Sequence, residues 1–246
     1  MHRINTVLKS METFNHRSAS LFLVLLICGD LAFVVLHFIM LFLRLENSPL
    51  SLEMDKGYSE IYQYLKYFWI TIILILVSLK EASLNYIAWV LVFVYFLFDD
   101  SLQIHERVGS YIAANLSFMP ILGLRLQDFG ELIVSAAAGI ILLLPLVLAY
   151  KHGTRKFQKI SRDFALLILV LIFFSVVIDM VHIAIKLGWE VTFILGVIEE
   201  SGEMLSVSLI LWYVFLVMVR DCDPGCYLYE YAATLLTRRS IKADKF

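Results

Sequence analysis

Apolar residues in this chain come in long runs separated by short polar stretches. The runs fall at about 19–43, 61–79, 84–103, 131–150, 164–185 and 198–219. Most are close to the roughly 20 residues that a helix needs to cross about 30 Å of hydrocarbon. Period-two segments of the kind that mark membrane barrels are absent. The pattern predicts an all-α polytopic integral membrane protein, a six-helix transmembrane bundle forming a single membrane domain over residues 1–246. The first run is too long for a signal peptide and lacks a small-residue cleavage site, so it is expected to remain as a span.

Composition agrees. Hydrophobic residues make up 61% of the chain, against about 45–50% in soluble domains. Net charge is −2, and no nucleic-acid partner is expected. The expected partner is membrane lipid, in a bacterial or archaeal cell membrane. The positive-inside bias orients the bundle. With both termini cytoplasmic, the non-cytoplasmic side holds only Arg44, Lys56, Lys66, Arg107, Arg125 and Lys186 of the 20 Lys and Arg. The segment "KHGTRKFQKISR" carries much of this asymmetry, and the tail 220–246 is expected in the cytoplasm. Cys28, Cys222 and Cys226 give no disulfide framework.

Candidate chemistry enters with depth. The stretch "FLFDDSLQIHERVG" ends an apolar run with Asp99, Asp100, His105 and Glu106. Counting about 20 residues outward from each cytoplasmic end puts Asp179, His182, Glu200, Glu203 and His37 in the same outer layer. Glu199 falls at the rim and Asp30 near mid-membrane. A charge in hydrocarbon costs at least about 2.5–3.5 kcal/mol, so intramembrane ionisable groups usually face the bundle interior and mark function. Asp179 and His182 are i and i+3, on one helix face, as are Glu200 and Glu203. Asp99 and Glu106 share a face if the third helix continues through them.

Clustered carboxylates need protons or a cation. The expected reading is a divalent metal centre (Fe, Zn or Mn) drawn from Asp99, Asp100, His105, Glu106, Asp179, His182, Glu200 and Glu203, with Glu106 and Glu203 as candidate catalytic bases. In its chemistry, Asp-x-x-His beside Glu-x-x-Glu resembles the Glu-x-x-His helices of soluble di-iron carboxylate bundles. That resemblance implies a membrane-embedded metalloenzyme, a hydrolase or an oxidoreductase, working on a lipid-like or apolar substrate. Two alternatives use the same residues. One is a proton or cation transport protein, with Asp30 extending the outer site inward, although no Gly/Pro-broken helix pair marks a transport site. The other is a haem-binding or structural subunit, with ligands among His37, His105 and His182.

Overall fold

The computed structural model describes residues 2–45, 48–115, 117, 123–184 and 188–219, with side chains from Ser18 onward. The expected tail, with Cys222 and Cys226, and also Lys186, lie outside the described residues. Helix α1 is His2–Phe42, α2 is Tyr58–Lys80, and a 3-10 turn at Leu84–Tyr86 leads into α3, Ile87–Leu102. Then come α4 (Ile104–Ala113), α5 (Leu126–His152) and α6 (Arg155–Ile172). A π-helical stretch, Phe173–Ile178, joins α6 to α7 (Asp179–Ala184), and α8 is Trp189–Val219. No strand occurs among the described residues. Six helical stretches are long and apolar enough to cross a membrane, as in a multipass membrane protein.

Several helices begin earlier than hydropathy suggests, because their first turns are amphipathic. In α6 the buried residues Phe157, Ile160, Ser161, Phe164, Leu167 and Leu171 recur at helical spacing. Its charges Arg155, Lys156, Lys159 and Arg162 make the same segment look like a loop. Thr154 starts this helix by accepting the Phe157 N–H at 3.2 Å. At the start of α5 the bond runs the other way: Asp128, three residues in, accepts the N–H of the capping residue Arg125 at 2.6 Å and places a carboxylate at the positive end of the helix dipole. Pro145 lies inside α5 without ending it.

The dry core sits toward the Lys/Arg-rich end of the bundle. There α2 contributes Ile70, Leu74 and Val77, α3 contributes Trp89 and Phe93, and α8 contributes Val207, Ile210, Leu211 and Val214. Phe164 of α6 is locked among aromatic rings, with centroids of Trp89 at 5.0 Å and Tyr213 at 5.3 Å. Between lipid-covered helices there is little hydrophobic driving force, so such close packing and interhelical hydrogen bonds carry the association. At the opposite, acidic end, α4 and α5 cross glycine to glycine. A Cβ added at Gly130 would lie 2.1 Å from the carbonyl oxygen of Gly109.

Candidate functional site at the acidic end of the bundle

The third span does not run on through Glu106, contrary to the expectation of one continuous face. It ends at Leu102, and Gln103 takes a left-handed conformation, φ 53° and ψ 49°, before α4 begins. A non-glycine residue in that region is uncommon, and here it sits within four positions of Asp99, Asp100, His105 and Glu106. The break folds α4 back onto α3. Asp99 accepts the His105 backbone N–H through Oδ1 at 3.0 Å, and its Oδ2 pairs with the His105 imidazole at Nδ1, also 3.0 Å. One carboxylate thus caps the helix and holds the ring. The hydrogen bond to Asp99 pushes His105 up to about 9, against the opposing effect of burial. Glu106 accepts from the Gln103 amide at 3.3 Å, and burial pushes its carboxyl up.

The other helices repeat the theme. Asp179 and His182 follow directly on the π-helical stretch, a rare geometry often found at functional sites. His182 Nδ1 lies 2.8 Å from Glu199 Oε2. Glu199, expected at the rim, is thus the direct partner of this imidazole. Its helix starts at Trp189, well before position 198, so Glu199 stands within a regular helix facing His182. Helix α8 fits tightly against the π stretch at Gly202, where a Cβ would stand 2.1 Å from the Phe174 ring. Glu203 accepts from Gln63 of α2 at 3.2 Å. It lies within electrostatic reach of Asp100, Glu199 and Asp179. Glu200 similarly feels Glu203, Glu199, Glu60 and Glu53, and Asp100 feels Asp99, His105, Glu60 and Glu106.

One turn deeper along α2 from Gln63 is Lys66, which the charge count had placed with the residues of the outer side. It is fully buried. All three ammonium hydrogens have acceptors: Asp30 Oδ1 at 2.9 Å, the Met204 carbonyl oxygen at 2.8 Å and Ser208 Oγ at 3.1 Å. The Tyr62 ring covers the ammonium, with its centroid 4.6 Å away. Gly29 makes room for that ring, since a Cβ there would meet the Tyr62 hydroxyl at 2.7 Å. The sequence "CGD" in α1 thus reads as a seat for a buried ion pair.

The expected eight-residue ligand pool does not form one coordination shell. Among the described residues, no three His, Cys, Asp or Glu side chains are placed to hold a metal ion. Asp99 with His105, and His182 with the unexpected Glu199, are hydrogen-bonded pairs on different helices. Asp100, Glu106, Asp179, Glu200 and Glu203 stand around them without closing on a common point. The third histidine, His37, is engaged elsewhere, accepting the Leu52 N–H at Nδ1 at 3.1 Å. Among the expected cations, Arg125 is committed to Asp128, with 2.7 Å between Nη2 and Oδ1, and Arg107 is exposed.

A family model described as "Domain of unknown function (DUF8692)" matches residues 24–219. The chain belongs to this family. That range takes in every site residue above and excludes the first part of α1 and the tail. No curated protein and no solved structure matches the chain.

Sequence reasoning missed Lys66, Gln63, Glu53 and the role of Glu199. For Lys66 a signal was present: "YSEIYQYLKYFWITII" places Ser59, Gln63, Lys66 and Ile70 at spacings of four, three and four, one helix face. Had the helix been started at Tyr58 and read face by face, it would have announced a polar interior face.

Proposed function

We propose that this membrane protein takes up protons at its acidic end and exchanges them with the buried Asp30–Lys66 pair, with the surrounding carboxylates and imidazoles acting as one set. The observation that carries this reading is the run of side chains inward from that end. The Asp99–His105 and Glu199–His182 pairs stand beside Asp100, Glu200 and Glu203, Glu203 is bonded to Gln63, and Lys66 lies one turn further on. Acid and histidine chains of this kind inside helical bundles serve as proton relays. Two backbone irregularities, the left-handed Gln103 and the π stretch before Asp179, flank the set. They take the place of the Gly/Pro-broken helices sought in the sequence.

The acidic end faces outward in this reading, with both termini cytoplasmic. Removing the buried Lys66 from the outer-side count leaves five basic residues against fourteen, which sharpens the bias. Reporter fusions after Lys156 and within residues 48–57 are expected to report opposite sides, and a common side would refute the orientation.

A second reading keeps the metal. Both site histidines bind a carboxylate through Nδ1, which fixes the ring and leaves Nε2 as the ligating nitrogen, as in carboxylate–histidine–metal arrangements. A metal-bound water there would serve a hydrolase acting on a lipid-like substrate. Elemental analysis of protein purified without chelator separates the two. Proton exchange predicts no stoichiometric metal in the wild type, and loss of proton uptake by reconstituted vesicles in Glu203→Gln. Stoichiometric metal that is lost in His182→Ala, yet kept in the control Glu81→Gln at the basic end, would replace the first reading with the second. Glu199 is unsuitable as the control because it holds His182.

A further inference from the structure

The segment between α1 and α2 is a folded strap. Its ends are tied by the Tyr58 N–H to the Pro49 carbonyl oxygen at 2.9 Å, and its turns close through Ser51 N–H to Ser48 O at 2.9 Å and Gly57 N–H to Met54 O at 2.8 Å. It lies across the acidic end and touches three elements. Leu52 is driven into the protein, 1% exposed. Glu53 reaches α8, where its Oε1 lies 2.7 Å from the Cβ position of Gly196, with His182 Cε1 3.3 Å from that same point. Asp55 accepts from Gln103, at the break between α3 and α4, at 3.3 Å.

One hydrogen bond holds the deepest part of the strap. The Leu52 N–H donates to His37 Nδ1, so this nitrogen must carry a lone pair and the imidazole is neutral with its hydrogen on Nε2. His37 is 2% exposed and its Nε2 has no partner. Its surroundings are otherwise apolar: Phe193 of α8 stacks on the ring at 5.8 Å, and Phe38 of its own helix meets it edge-on at 5.8 Å. Glu53 of the strap is the titratable group whose charge reaches it. An imidazolium in this place would turn a second N–H toward that of Leu52, leaving two donors facing each other and no acceptor. The closed arrangement therefore admits only the neutral ring.

We propose that residues 48–57 form an acid-released lid over the acidic end of the bundle, with the His37–Leu52 hydrogen bond as its latch. Opening frees His37 to water, where an imidazole takes a proton near the ordinary value of about 6.5. The open state then binds one more proton than the closed state, so the open fraction rises by up to about tenfold per pH unit below that value and is independent of pH above it. The lid stands apart from proton exchange by the carboxylates, since its latch uses none of them.

Hydrogen–deuterium exchange of the strap peptide, corrected for intrinsic amide chemistry, tests this in the full chain in lipid nanodiscs between pH 8 and pH 5. Protection in the wild type is expected to be constant down to about pH 6.5 and then to fall by up to tenfold per unit. In His37→Gln, whose amide oxygen accepts the Leu52 N–H at any pH, protection should stay flat, and His37→Asn serves equally if the first variant does not fold. A flat wild-type series overturns the latch. So does a pH dependence that survives in the His37 variant, and its disappearance in Glu53→Gln would then transfer the switch to that carboxylate.

Discussion

Lys66→Met is expected to lower stability by about 3–5 kcal/mol, because it leaves the Asp30 carboxylate buried without its partner. Asp30 is 5% exposed, and Lys66 supplies its ion-pair contact. The double variant Lys66→Met/Asp30→Leu should recover most of that loss, since a buried pair replaced by apolar groups of similar size is often neutral or better. Denaturant unfolding in detergent, followed by helical circular dichroism, measures both. The pair also separates structure from function. A double variant that folds like the wild type but no longer takes up protons would place Lys66 and Asp30 in the working path. One that folds and still takes them up would make the pair only a strut, and the proposed route would have to end at Glu203.

Gly130→Ala is the other change with a large expected effect. The added methyl would stand 2.1 Å from Gly109 O and 2.7 Å from Gly109 C. Both are backbone atoms, so no rotamer change relieves the clash and α4 must move away from α5. Overpacking of this kind costs about 1–3 kcal/mol and occasionally more. The displacement would also carry Glu106 of α4 away from Glu131 of α5. Gly139→Ala in the same helix meets nothing within 4 Å, and should be neutral or stabilising by about 0.5–1 kcal/mol. Thermal unfolding of the two variants side by side is decisive. Equal effects would mean that α4 and α5 do not cross at these glycines.

Much of the fold was legible because hydropathy reports what a helix shows to lipid. The six spans and the shared depth of the acidic residues both follow from run lengths. What hydropathy cannot report is which charges are inside. Lys66 was counted with the outer-side charges because its helix opens with Tyr58, Ser59, Glu60 and Gln63, and the run gives no sign that its ammonium points into the bundle. Glu199 looked peripheral because the start of α8, "WEVTF", is less apolar than its middle, and a window reads that as the rim. The break at Gln103 left no mark, since glutamine has no preference for the left-handed region, and it is held there by the bonds of Asp99 to His105 and of Gln103 to Asp55 and Glu106. The metal centre was inferred from residue types at one depth, but depth fixes only one coordinate. The angular placement of each helix separates the groups into pairs.

Helix α5 has a further consequence. Of its residues only Asp128 and Gly130, both in its first turns, are buried, while Leu142, Leu146 and Ala149 graze the core. From Ile133 onward most of its surface is uncovered by the rest of the protein; where such a surface meets lipid, leucine, isoleucine and valine serve alike. Selection on that stretch acts on greasiness rather than shape. An alignment of relatives is therefore expected to keep "DFGE" at the head of the helix, where Asp128 and Gly130 are buried, and to vary more freely among apolar residues beyond it.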